Sequence, residues 1–177
     1  MARLDNDTVV NVAQLLKEQV GATRTYDLSL DWFALASDVM AADVHGRVRL
    51  TRIATGILAS GEVDGIGLIE CVRCLEIYEQ PFHATFDQEY RPLVDVRTGA
   101  LLERPDPVDD IGEINDVHEL DFSEPLRQEA LLALPMQPIC GDICPGPEVP
   151  VDADADTGDA RLSVLANLLD EDEVQRN

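Results

Sequence analysis

Four cysteines are the residues whose types and spacing point most directly to chemistry in this sequence. Cys71 and Cys74 lie two residues apart, a spacing that lets both thiolates face one tetrahedral metal ion. Cys140 and Cys144 form a second close pair much later in the chain. A Cys-x-x-Cys motif with a distant second pair is typical of four-sulfur zinc sites. The sequence therefore predicts one structural zinc ion held by all four cysteines.

Two alternatives stay open for the same cysteines. They could be reduced thiols without a ligand, or Cys71 and Cys74 could form a thiol redox pair. A redox pair is expected at a helix N-terminus, where the helix dipole lowers a thiol pKa, but the flanking sequence is of the β type. Four thiolates would fill the coordination shell of zinc, so the ion would stabilise the fold and not catalyse a reaction.

The segments around the first cysteine pair predict an antiparallel sheet that curls toward a barrel. Residues 44–90 contain successive short runs of alternating apolar and polar residues, separated by glycines. The first cysteine pair falls at a turn between two of these strands. Further strands are predicted at 25–30 and 117–122, whereas residues 31–43 fit either a short helix or an apolar loop.

Two helices are predicted to flank this sheet, which gives an α+β fold. Apolar residues recur at helical spacing over residues 8–20, and again over residues 123–134. The second helix ends at Pro135 and leads to Cys140, so it would deliver the second cysteine pair to a fixed place. Between sheet and second helix, residues 97–116 are rich in acids and prolines and predict a mobile acidic loop.

The domain organisation follows from these elements. Residues 1–147 are predicted to form a single domain. Residues 148–177 are predicted to be an acidic linker with a short leucine-rich helix at 160–169.

The net charge of −22 is the most unusual bulk property of the chain. A surface of this sign repels nucleic acid at long range and favours basic partners, for example a ribosomal protein. Solubility, or adaptation to a salty cytoplasm, explains the charge equally well. Four arginines are the candidates for direct RNA contact, although the same side chains could pair with neighbouring acids: Arg24, Arg47, Arg49 and Arg52.

No motif in the sequence predicts an enzyme. The three histidines lie in strand-like segments without a nucleophile motif nearby, and there is no phosphate-binding loop. There is also no apolar run long enough for a membrane span and no secretory signal, so the sequence predicts a cytoplasmic protein.

Five stretches together resemble the large-ribosomal-RNA-subunit accumulation protein (YceD) family. They are Gly21–Tyr26, Gly61-x-Val63, Cys71–Glu76, Glu119–Phe122 and Glu129–Cys140, in this order and over nearly the whole chain. Many members carry further cysteines after the second pair, whereas here Pro145-Gly146-Pro147 follows.

The resemblance implies a non-enzymatic role in the accumulation or processing of large-subunit rRNA. Joined with the acidity, it predicts a ribosome-biogenesis factor that binds a basic ribosomal protein or a pre-large-subunit particle. Direct rRNA binding and, as a further alternative, thiol redox activity are the competing hypotheses.

Overall fold

The computed structural model describes residues 2–106, 108 and 110–146. The chain divides into Met1–Cys144 and Pro145–Asn177, and the described helices and strands all lie in the first of these units. The linker and helix predicted at 148–177 lie outside the described residues. In chain order the elements are β1 (Ala2–Asp5), β2 (Val9–Asn11), α1 (Ala13–Lys17), β3 (Thr23–Ala34), β4 (Met40–Arg52), β5 (Ile57–Glu70), β6 (Ile77–Pro92), β7 (Gly112–Ile114), β8 (Glu119–Asp121) and α2 (Ser123–Ala133).

One eight-stranded sheet in the order β1-β3-β4-β5-β6-β7-β8-β2 dominates the described fold and curls into a half-barrel. The predicted antiparallel sheet is partly parallel: β1 pairs with β3, and β6 with β7, in parallel, whereas the other strand pairs are antiparallel. Both parallel pairs join strands that are separated by long connections, residues 6–22 and 93–111. Connections of this length can carry the chain back to the end where the first strand began.

The predicted helix at 8–20 is mostly not helical. Val9–Asn11 forms β2 and pairs antiparallel with Glu119–Asp121 of β8, so only Ala13–Lys17 forms the helix. The β-branched valines suit a strand, and β8 offers them an open edge. Pairing between distant segments therefore outweighed the helical spacing of the apolar residues.

Two further segments are more ordered than their patterns indicated. Most of residues 31–43 extends β3 and β4, joined by a short turn, instead of forming a helix or an apolar loop. Within the predicted acidic loop, Gly112–Ile114 forms β7. The mobility of that loop stays a prediction.

The core lies on the inner, concave face of the sheet, which α1 and α2 cover. Leu15 and Leu16 of α1, and Leu126 and Ala130 of α2, are buried against it. Large rings from β6 fill the space over small residues of β5. A Cβ atom added at Gly61 would lie 2.2 Å from the Phe86 ring, which stacks on Phe122 at a centroid distance of 5.9 Å.

We expect Gly61→Val to destabilise the fold by about 1–3 kcal/mol, since the added methyl groups collide with the Phe86 ring in a filled core. Urea unfolding measures this difference. Ser60→Ala is the matched control, because Ser60 is the adjacent residue on the opposite face of β5 and should change stability by less than about 0.5 kcal/mol. Equal unfolding midpoints for Gly61→Val and the wild type would contradict this packing.

Candidate metal centre

The first cysteine pair lies in the turn that joins β5 to β6, as predicted. The turn is closed by two backbone hydrogen bonds, from Cys71 N–H to the Glu76 carbonyl and from Leu75 N–H to the Cys71 carbonyl, each 2.9 Å. Leu75 has a φ of 63°, in the left-handed region that residues with a side chain seldom adopt. This tight reversal brings Cys71 and Cys74 onto the same side of the turn.

Two contacts bring the second cysteine pair to this turn. Leu134, directly after α2, packs over Gly67 of β5, where an added Cβ would lie 2.8 Å from a Leu134 methyl. Val72 N–H then donates to the Pro138 carbonyl at 2.9 Å. The segment that follows α2 is therefore attached to the end of the β5–β6 hairpin just before Cys140.

The four cysteine sulfurs form one cluster in which every pair of Sγ atoms lies within 4.8 Å. Two of these separations join the two segments: Cys71 Sγ to Cys144 Sγ, and Cys74 Sγ to Cys140 Sγ, both 3.7 Å. A tetrahedral zinc ion with Zn–S bonds of about 2.3 Å places its sulfurs about 3.8 Å apart. All four cysteines are free of disulfides. The arrangement can therefore hold a metal ion such as zinc.

The pKa values of Cys71 and Cys140 are shifted in opposite directions. Hydrogen bonding from the backbone N–H groups of Cys74, Cys140 and Arg73 to Cys71 Sγ lowers the pKa of Cys71 to about 6. This outweighs burial, which raises the pKa. By contrast, hydrogen bonding with Cys144 is the main cause that raises the pKa of Cys140 to about 12. Four thiolates at this spacing repel one another unless a cation lies among them, which a divalent metal would supply.

Tyr78, two rows of β6 beyond the turn, borders the cluster and was not identified from the sequence. Its hydroxyl is buried and has no hydrogen-bond partner among the described residues. Burial is the main cause that raises its pKa, followed by the negative charges of Cys71 and Cys140. An aromatic residue close after a Cys-x-x-Cys turn is the only sequence signal that could have pointed to it.

The four arginines proposed for RNA contact do not share a surface. Arg47 and Arg49 project from the outer face of β4, since their register partners Asp27 and Ser60 also lie on that face. Arg24 and Arg52 lie on the inner face, beside α1.

Three of these arginines bind groups of the chain itself. Arg24 pairs with Glu18 at 2.7 Å, and Arg47 with Asp27 at 3.7 Å. Arg52 donates to the carbonyls of Leu16, Ile53 and Gly56, so it ties α1 to the turn between β4 and β5.

Comparison with known proteins gives one family match. The family model described as large ribosomal RNA subunit accumulation protein YceD matches residues 59–169, well over half of the chain. No curated protein and no solved structure matches the chain. Among the described residues, none of the helices has the length and apolar character to span a membrane.

We expect Arg52→Met to lower the free energy of unfolding by about 2 kcal/mol, because three carbonyls lose a charged donor. Thermal or urea unfolding measures the change. Arg49→Met is the matched control on the same strand: among the described residues the Arg49 side chain has no hydrogen bond or ion pair, so its replacement should change stability by less than about 0.5 kcal/mol. A destabilisation of equal size by both substitutions would show that Arg52 has no special structural role.

Proposed function

The chain belongs to the large ribosomal RNA subunit accumulation protein family, and from this premise we propose that it is a non-enzymatic, cytoplasmic ribosome-biogenesis factor that binds a basic ribosomal protein or a pre-large-subunit particle. The match over residues 59–169 carries the ribosomal part of the proposal. The family description names the accumulation of large-subunit rRNA and no catalysed reaction.

The charge of the chain supports a basic protein as the partner. Thirty-five acids against thirteen lysines and arginines give the net charge of −22. A field of this sign attracts basic ribosomal proteins and repels the phosphates of rRNA. The separation of the four arginines onto two faces, with three of them bound to groups of the chain, favours protein over RNA as the direct contact.

The cysteine cluster supports the second part of the proposal, that Cys71, Cys74, Cys140 and Cys144 bind one structural zinc ion. The sulfurs come from the β5–β6 turn and from the segment after α2, so a shared ion would hold the helix end against the sheet. With four sulfur ligands the ion would have no open position for a substrate.

We expect the purified protein to contain one zinc ion per chain, measured by atomic emission. Its melting temperature should fall when a chelator removes the ion. Cys74→Ser with Cys140→Ser should remove the metal and abolish the effect of the chelator, because two of four ligands are lost.

Val72→Ser is the matched control for the metal measurement. It changes an exposed side chain in the same turn and leaves all four sulfurs in place, so the zinc content should stay at one ion. A metal-free protein that oxidises readily to a Cys71–Cys74 disulfide would reject the zinc proposal and favour the redox alternative.

We expect tagged protein purified from its host at low salt to carry large-subunit ribosomal proteins that remain bound after nuclease treatment. Their release should follow rising ionic strength, since the attraction is between exposed charges. Mass spectrometry of the bound fraction, before and after nuclease, is the measurement. Loss of all partners with nuclease would favour direct rRNA binding, and the absence of ribosomal proteins at low salt would reject the proposed partner.

A further inference from the structure

The outer face of the sheet is apolar at the end that carries the cysteine turn. Three successive cross-strand rows face outward there: Trp32–Ala42–Ile66–Pro81, Ala34–Met40–Leu68–Glu79 and Glu70–Ile77. We call their large apolar side chains, which are Trp32, Met40, Ile66, Leu68 and Ile77, the outer apolar patch. Trp32 is 62% exposed, Met40 39% and Ile77 71%.

A β-bulge in β4 puts part of this patch on the outside. Ala42 pairs with Ile66, and the next pair is His45 with Asp64, so β4 advances by three residues where β5 advances by two. Asp43, inside this bulge, has a φ of 49°. Val44 and Ala41 both face the core although they are three residues apart in β4. The neighbours of Ala41, which are Met40 and Ala42, therefore turn outward. Without the extra residue, Met40 and Ala42 would point to the core.

No element among the described residues covers the outer apolar patch. Both helices pack on the inner face, where Leu15 and Leu126 are buried. At the edge of the sheet, β1 ends at Asp5, opposite Ser29 of β3, so no strand lies beside Trp32. A contiguous apolar surface of this kind on a highly charged protein is typical of an interaction site.

The charges on and beside the patch identify the chemistry of its partner. Glu70 and Glu79 lie on the same rows, and Asp43 and Asp64 are exposed at the border toward the rest of the sheet. The rows themselves contain no lysine or arginine. Acids around an apolar centre disfavour nucleic acid and anionic membranes, and a second copy of a chain with net charge −22 would bring like charges together.

We propose that the outer apolar patch docks a basic protein segment whose apolar side chains contact Trp32, Met40 and Ile77, while its lysines and arginines pair with the surrounding acids. This inference rests on the proposed function and gives the basic partner a place on the molecule. Large apolar side chains at the centre and charges at the rim are the usual anatomy of such a contact.

Trp32 is the only tryptophan of the chain and reports on this contact directly. The probe is a synthetic tryptophan-free peptide of leucines, lysines and arginines. Its addition to the full chain should shift the Trp32 emission to shorter wavelength and protect it from iodide quenching. A peptide with serine for every leucine, and one with glutamate for every basic residue, should each bind more weakly by at least about tenfold.

Equal binding of the serine peptide would overturn the proposal, because charge alone would then explain the affinity. Equal binding of the glutamate peptide would overturn it as well. Unchanged emission during binding would place the contact elsewhere. Concentration-dependent dimers that bury Trp32, detected by sedimentation, would instead assign the patch to a second copy.

Substitutions locate the contact within the sheet. Met40→Ser with Ile77→Ser keeps Trp32 as the reporter. This double variant should bind the peptide of leucines, lysines and arginines (the leucine peptide) at least about tenfold more weakly. The matched control is Leu101→Ser with Val117→Ser, two exposed apolar residues outside the patch, which should leave the affinity unchanged. An equal loss of affinity for the peptide in both double variants would contradict a local binding site.

The same variants separate this inference from the proposed function. If large-subunit ribosomal proteins are captured equally by the wild type and by Met40→Ser with Ile77→Ser, the docking surface is wrong and the ribosomal partner stands. If the leucine peptide binds at Trp32 but no ribosomal protein is captured, the surface stands and the proposed partner is wrong.

Discussion

The pairing of β5 with β6 is the interaction on which the rest of this structure depends. It runs without a register shift from Ile57 opposite Tyr90 to Glu70 opposite Ile77. Because side chains alternate between the faces of a strand, this one register decides which residues enter the core and which face outward. It also places the Cys71–Cys74 turn at the far end of a long hairpin, where a second segment can reach it.

The inner face of this hairpin combines glycines with aromatic rings. Phe82 and Phe86 of β6 lie over Gly65 and Gly61 of β5, and Leu134 lies over Gly67. Glycine is unfavourable in strands because it loses more backbone entropy on folding than other residues and has no side chain to pack. Here the missing side chains make room for the rings. The same complementarity brings the end of α2 close to the cysteine turn, so core packing and the assembly of the sulfur cluster are coupled.

Negative charge is concentrated in two places, the exposed acids and the cysteine cluster. Most acids are exposed, and the described part of the chain buries no charged side chain in its core. The cysteine cluster is the other concentration of potential negative charge, since its sulfurs lie within 4.8 Å of one another. A metal ion would neutralise that charge locally, whereas the surface acids would stay available for a basic partner.

The sequence by itself determined the local features of this protein. Alternating residues predicted most of the central strands, the Cys-x-x-Cys spacing predicted a turn with convergent thiols, and Pro135 predicted the end of the second helix. These predictions succeed because each depends on neighbouring residues, through side-chain periodicity or a restricted backbone angle.

Only the tertiary structure decided the features that join distant residues. Val9–Asn11 became a strand because β8 offered it an edge, and the parallel pairs arose from long connections with no local signal. The sequence predicted that the two cysteine pairs converge, but the 3.7 Å between Cys74 Sγ and Cys140 Sγ depends on how the segment after α2 packs against the β5–β6 turn. The outward turn of Met40 depends on a bulge that no local pattern indicates. Such features follow from which segments pair in space, and the energy of that pairing is shared between residues far apart in the chain.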